Sequence, residues 1–248
     1  MKKVVVLGSN SFSGSDFISL ILEQKKYHVV GISRSAEKNK IFQPFRRKKQ
    51  TDYKFYRLDL NIDFRNIEKL ISSFRPNYIV NFAAQSEVAP SWQHPEHWFE
   101  TNTVSLARLL NYLRTLPFLS RYIHISSPEV YGTCRGLVKE DAALNPSTPY
   151  AASKAAADLL ISTYIKNFNF PAVFVRSTNV YGAGQQLHKI IPRTVIYIKA
   201  EKKIELHGGG RSVKSYIHIR DISKGELLIT EKGKIGQVYH LSPDKGIS

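Results

Sequence analysis

The chain has 248 residues, 42% of them hydrophobic, enough for one full core and the start of a second lobe. Its single cysteine, Cys134, excludes an intramolecular disulfide. No stretch approaches the ~20 apolar residues of a membrane span, so a soluble, cytoplasmic protein is expected. The net charge of +16 makes an anionic partner worth considering, and nine Lys/Arg against one acid, Glu37, fall within residues 25–49.

Apolar runs alternate with amphipathic stretches along the chain. Strands are predicted at Val4–Leu7, His28–Ile32, Tyr53–Leu58, Tyr78–Asn81, Tyr122–Ile125 and Ala172–Val175. Helices are predicted between them, at Phe12–Gln24, Phe64–Phe74, His97–Leu113 and Tyr150–Asn167. Continuous β-branched runs imply strands buried on both faces, and strand–helix alternation implies right-handed crossovers and a parallel sheet. The fold class is therefore α/β, doubly wound.

After Tyr181 the texture changes. A helix at Lys189–Lys199 is followed by Ile204–Leu206, the run Gly208-Gly209-Gly210, a strand at Tyr216–Ile219, a helix near Ile222–Thr230 and a last strand at Val238–Leu241. Residues 1–180 are expected to form a dinucleotide-binding domain. Residues 181–248 are expected to supply a substrate-binding lobe interleaved with the sheet edge. Ser248 would make a good helix N-cap, so a further C-terminal part is expected beyond it.

The first strand runs straight into Gly8-Ser9-Asn10-Ser11-Phe12-Ser13-Gly14 and then a helix. Glycines at such a turn let backbone N–H groups approach a pyrophosphate at a helix N-terminus. The spacing is G-x-x-S-x-x-G rather than G-x-G-x-x-G, and glycines here often serve only the turn. Two strand ends strengthen the reading. Ser33-Arg34 ends the second, where an adenosine ribose would lie, and Asp59-Leu60 ends the third, where a carboxylate could meet an adenine amino group. An acid after the second strand favours a free 2′-hydroxyl, whereas an arginine can accept a 2′-phosphate. Arg34 thus favours NADP over NAD, unless it is simply exposed.

Tyr150-Ala151-Ala152-Ser153-Lys154 begins a helix, with Tyr150 and Lys154 one turn apart on a shared face. An ammonium beside a phenol favours the phenolate, which makes a tyrosine a usable base near neutral pH. In HISSPEVYG, residues 124–132, a strand ends at Ser126-Ser127, and a lone acid, Glu129, follows Pro128. On residue type alone Glu129 reads as a solvated loop acid.

Together these segments resemble the extended short-chain dehydrogenase/reductase family, with a Rossmann-type fold. They are most similar to its nucleotide-sugar 4,6-dehydratases, of the dTDP-glucose and GDP-mannose kinds. GSNSFSG is similar to their GxxGFxG turn, with Ser11 in place of the middle glycine. NFAAQSEVAPSWQHPEHWFETN, 81–102, resembles their fourth-strand and substrate-loop segment, with Glu87 where a histidine is usual. SSPEVYG resembles TDEVYG or TSELYG. RSTNVYGAGQQLHKIIPR, 176–193, resembles their substrate-diphosphate segment. GGGRSVKSYIHIRD, 208–221, is similar to GxGxxxRDWxxVxD, with Lys214-Ser215-Tyr216 replacing Arg-Asp-Trp.

The resemblance implies roles. Gly8, Ser11, Phe12, Gly14, Ser33, Arg34, Asp59, Leu60, Phe82, Ala83 and Ala84 would hold the dinucleotide, with Tyr150 and Lys154 at its ribose. Ser86, Asn179, Lys189 and Lys214 would bind a nucleoside-diphosphate sugar. Ser127 would hydrogen-bond the sugar hydroxyl being oxidised, Tyr150 would take its proton, and Lys154 would tune Tyr150. Glu129 stands at the base that removes the C5 proton. Pro128 replaces the aspartate that protonates the departing hydroxyl in the dTDP-glucose enzymes. The resemblance also implies a homodimer, paired through helices near Asn102–Leu113 and Tyr150–Asn167. No metal site is expected.

Two other readings share the scaffold, an epimerase and a UDP-glucuronate decarboxylase. A reading from a different class, an RNA-binding or redox-sensing protein, fits the charge. It predicts decay of the Ser–Tyr–Lys set, which is intact, and nucleic acid is an unlikely partner.

Overall fold

The run Lys2–Leu7 forms the first strand, β1, with Val4, Val5, Val6 and Leu7 all buried. Val4 and Val6 join Phe17, Ile18 and Ile21 of α1 (Phe12–Glu23), while Val5 and Leu7 face the opposite layer. Each such side chain contributes about 1.5–3 kcal/mol on leaving water. The computed structural model describes residues 1–47, 51–134, 136–205, 207–210 and 213–246. Lys48 and Lys49 of the basic stretch, Leu206, Arg211 and Ser212 of the 208–221 motif, and the expected cap Ser248 lie outside the described residues.

The chain continues through β2 (Tyr27–Ser33), β3 (Tyr53–Arg57), α2 (Phe64–Phe74), β4 (Tyr78–Asn81), α3 (Pro95–Phe99) and α4 (Ser105–Leu113). Then come β5 (Arg121–Ile125), α5 (Pro149–Phe168), β6 (Ala172–Ser177), β7 (Asn179–Tyr181), α6 (Ile190–Lys199), β8 (Tyr216–His218), α7 (Ile219–Lys232) and β9 (Val238–Leu241). Seven strands form one sheet in the order β3-β2-β1-β4-β5-β6-β9, every pairing parallel. The expected doubly wound fold is present. Core residues from α2, α4 and α5 cover one face, and those from α1 and α7 cover the other. The strand order reverses between β1 and β4, so the connections leaving their carboxyl ends run to opposite faces and leave a crevice.

Local structure refines the sequence reading in three places. The single helix expected over 97–113 is a helix from Pro95 whose middle, Glu100–Val104, is a π turn. There the Asn102 amide leaves the helix surface to bond the Gln85 backbone at 2.9 and 3.0 Å and Ser153 Oγ at 2.9 Å. Asn179–Tyr181, not predicted as a strand, pairs in parallel with β8 as a separate two-stranded ribbon. Finally, α7 and β9 return to the main sheet, where β9 pairs with β6. Among the described residues no helix is long and apolar enough to cross a membrane.

Candidate functional site

The crevice between β1 and β4 collects residues from four strand ends. Gly8, Ser11, Ser33, Arg34, Asp59, Leu60, Phe82, Ala83 and Ala84 line it together. Gly8 has φ +76°, and a Cβ there would sit 2.6 Å from the Ala83 nitrogen. A Cβ on Gly14 would meet the Gly8 carbonyl oxygen at 2.6 Å. Both glycines are thus required by close backbone approach. Ser11 caps α1, its Oγ accepting the Gly14 N–H at 3.0 Å. Phe12 lies elsewhere, lining a hollow with Asp16, Phe42 and His218. The crevice has the shape and the helix N-terminus that a dinucleotide pyrophosphate needs.

The sequence reading missed Asn10, Ser35 and Lys38, which also line this crevice. Asn10 Nδ2 donates to the carbonyl oxygens of Ser35 (3.0 Å) and Ala36 (2.8 Å), and its Oδ1 accepts from Gln43 (2.9 Å). Its own N–H donates to Ser33 Oγ at 3.0 Å. The glycine turn therefore holds the loop after β2, which presents Arg34 and Lys38. Asp59 Oδ1 accepts the Asn61 N–H at 2.9 Å.

The second group gathers around the start of α5. Thr148 caps this helix by accepting the Ala151 N–H at 3.1 Å, and Pro149 fits its first position. That fixes Tyr150 at the first turn, buried, with its N–H bonded to Ser91 Oγ at 3.2 Å. Ser127 ends β5 and caps the single turn Pro128–Tyr131, its Oγ accepting the Glu129 N–H at 3.2 Å. Burial raises the Tyr150 phenol above its ordinary pKa; a hydrogen bond from Ser127 opposes this, and the charges of Glu129, Asp158 and Glu87 add to it. Ser127, Glu129 and Tyr150 thus share one electrostatic environment.

Lys154 behaves differently from the sequence expectation. Its Nζ donates to the Ile125 carbonyl oxygen at 2.8 Å and lies 3.4 Å from His124 Nε2. Burial lowers this lysine to about 8, opposed by Asp158. The Tyr150 phenol is raised rather than lowered, because burial outweighs the Ser127 bond. Beneath lies a buried polar set with no local sequence signal. Asp158 Oδ2 accepts from Arg176 Nη2 at 2.7 Å and from Ser126 Oγ at 2.8 Å. Arg176 also donates to the Tyr131 hydroxyl, which is 2.7 Å from His240 Nε2. Burial holds His124 well below its ordinary value, and Lys154 and Arg176 add to this.

The residues expected at the substrate lie on the far side. Lys189 caps α6, and its Nζ donates to both Glu87 oxygens, at 3.1 and 3.2 Å. Asn179 donates its amide to the Ser215 carbonyl oxygen at 3.2 Å. Ser86 and Lys214 are exposed. Trp98 and Tyr131 are buried, whereas Trp92 is 64% exposed. His94, Glu96 and His97 bring donor atoms within 4.8 Å of one another on the surface.

Comparison with known proteins agrees with this fold. The description of the NAD dependent epimerase/dehydratase family matches residues 4–242. A dTDP-D-glucose 4,6-dehydratase of Dictyostelium discoideum is 29% identical over the whole chain, which spans 60% of that protein's length. The crystal structure of dTDP-glucose 4,6-dehydratase from Bacillus anthracis, in complex with NAD, superposes with a TM-score of 0.90 at 26% identity, covering all of this chain and 77% of that one. A UDP-glucuronic acid 4-epimerase from Bacillus cereus, in complex with UDP-glucuronic acid and NAD, reaches 0.89 at 27% identity, covering 99% of this chain and 79% of that one. With a glycine turn, a Ser–Tyr–Lys set and a match over nearly its whole length, the chain belongs to the NAD dependent epimerase/dehydratase family.

Proposed function

We propose that the protein is a nucleotide-sugar 4,6-dehydratase. One observation carries the reading: Glu129 follows Ser127 by two residues and acts electrostatically on the Tyr150 phenol. Epimerisation at C4 has no need of an acid there, whereas elimination of water requires a base for C5.

In this reading residues 1–180 bind a dinucleotide and residues 181–248 contribute the sugar-nucleotide side. The dinucleotide, when bound, supplies a hydride acceptor and returns the hydride at the end of the cycle. Ser127 orients the C4 hydroxyl, and Tyr150 takes its proton as the C4 hydrogen leaves. Lys154, already turned toward the β5 end, holds the ribose. The resulting 4-keto group acidifies C5. Glu129 removes that proton and delivers it to the C6 oxygen, which departs as water. C5 regains a proton from solvent as the hydride returns at C6, and Tyr150 releases to solvent the proton it took. Pro128 has no proton to give, so one carboxyl serves both halves of the elimination. Ser86, Asn179, Lys189 and Lys214 bind the nucleoside diphosphate.

NADP is the proposed cofactor, ahead of NAD, because Arg34 and Lys38 both line the crevice on a loop pinned by Asn10. We further propose a cytoplasmic homodimer, paired through α4 and α5; Leu159 and Phe168 of α5 are exposed large apolar residues. Incubation with dTDP-, UDP-, GDP- and CDP-hexoses, read by mass spectrometry, tests the activity. The expected product has lost one water. An unchanged mass with inverted C4 would replace this reading with the epimerase, which the likeness to UDP-glucuronic acid 4-epimerase favours as the second possibility. Loss of carbon dioxide from a uronate would instead point to the decarboxylase.

A further inference from the structure

Lys189 stands at the N-terminus of α6, whose first turn contains no acid and whose cap makes no side-chain hydrogen bond. Its ammonium, the nearby His188 ring and the positive end of the helix dipole all favour an anion. The anion that fills the place comes from far away in sequence. Glu87, in the loop after β4, sets Oε1 3.1 Å and Oε2 3.2 Å from Lys189 Nζ, and His188 Nε2 lies 3.7 Å from Oε1.

We infer that Glu87 is an internal competitor for the diphosphate: its carboxylate occupies an anion seat made by Lys189 and His188, and a diphosphate-bearing ligand binds by displacing it. This rests on the nucleotide-sugar reading, which assigns Lys189 to the diphosphate. The pair is exchangeable because both side chains are partly exposed, Lys189 by 38% and Glu87 by 47%, and such pairs are weak. A diphosphate carries charge on each phosphate and outcompetes one carboxylate. A monophosphate that stops short of the seat meets no such competitor, so the internal carboxylate lowers affinity for the diphosphate alone. The loop that holds Glu87 also holds Ser91, which bonds the Tyr150 N–H at 3.2 Å, so the seat and the catalytic helix share one support.

The test is calorimetric titration of the full chain with UDP, dTDP, GDP and CDP and with the matching monophosphates. It uses wild type, Glu87→Gln, Lys189→Met and the double variant, with Glu68→Gln as a control for general loss of negative charge. Glu87→Gln is expected to bind the preferred nucleoside diphosphate about three- to fivefold tighter. It should also widen the gap between di- and monophosphate, because a monophosphate that stops short of the seat gains nothing. Both gains should vanish in the Lys189→Met background, and Glu68→Gln should match wild type. Equal affinity of wild type and Glu87→Gln overturns the inference, as does a gain that persists without Lys189 or appears in Glu68→Gln. If no nucleoside diphosphate binds any form, the nucleotide-sugar reading falls, and this inference with it.

Discussion

Asp158 and Arg176 form a buried ion pair directly behind the Ser127–Tyr150 group, with Arg176 Nη2 at 2.7 Å and Nε at 3.2 Å from Asp158 Oδ2. Removing one partner leaves an uncompensated buried charge. Asp158→Ala should therefore cost about 3–5 kcal/mol, and Asp158→Leu combined with Arg176→Met should recover most of it. Urea unfolding of the three forms measures this; a loss below about 1 kcal/mol in the single variant would show that the pair adds little.

Glu129 and Tyr150 should fail at different steps. The amide of Glu129→Gln cannot accept the C5 proton, so turnover should drop about 10²–10⁴-fold while reduced nicotinamide accumulates. Tyr150→Phe should block oxidation itself, so no reduced nicotinamide absorbance should appear after mixing with substrate. Wild-type turnover by Glu129→Gln would return that residue to the status of a solvated loop acid.

The proposed preference for NADP depends on Arg34 and Lys38. Denaturing the purified protein should release NADP, and Arg34→Ala should weaken NADP binding about ten- to hundredfold while sparing NAD, since a charged hydrogen bond to the 2′-phosphate is lost. Recovery of NAD alone would place Arg34 among the exposed surface charges.

Lys154 gives stability a pH dependence of definite sign. Burial brings it from 10.5 in the unfolded chain to about 8 in the folded one. Between those values the unfolded state holds more protons, so stability rises with pH through the window and is lowest below it. The full effect is about 3 kcal/mol. Lys154→Met should flatten the rise between pH 8 and 10.5 and raise the urea midpoint at neutral pH. An unchanged slope would mean that the ammonium is better solvated than its position indicates.

Glu226 acts in the opposite sense. It lies on α7, fully buried, and neither carboxyl oxygen has a partner among the described residues. Burial, with Asp16 adding, pushes its pKa well above 4.5. The folded state keeps a proton that the unfolded state releases, so stability falls as pH rises from about 4.5 toward the raised value. Glu226→Met should remove that slope and stabilise the protein by about 1–3 kcal/mol at neutral pH. Thermal melts across pH decide it; a less stable Glu226→Met would mean that the carboxyl is satisfied after all.

The sequence made the sheet legible because its signals are local. Val4–Leu7 is an unbroken apolar run, and Thr148-Pro149 announces the helix that carries Tyr150. The crevice was legible for the same reason, since strand ends at Gly8, Ser33 and Asp59 converge in any doubly wound sheet. What escaped is assembled from distant elements. His124, Asp158 and Arg176 come from β5, α5 and β6, and no spacing rule links them. Lys154 sits one turn from Tyr150 as its position requires, yet its long side chain reaches the Ile125 carbonyl oxygen instead. The π turn at Glu100–Val104 depends on Asn102 finding Gln85 and Ser153, partners that helical periodicity does not encode.

Asn10 has a bearing on how this cofactor site could be re-engineered. Its amide is committed to the loop after β2, through Ser35, Ala36 and Gln43. Its N–H is committed to Ser33 at the strand's end. The glycine turn and the loop after β2, proposed to face the pyrophosphate and the ribose, are therefore one unit, not two independently replaceable parts. Exchanging Arg34 for an acid would leave Lys38 across the same crevice and the loop in the same place. A switch of dinucleotide would call for transplanting the whole unit, residues 8–14 together with 33–46.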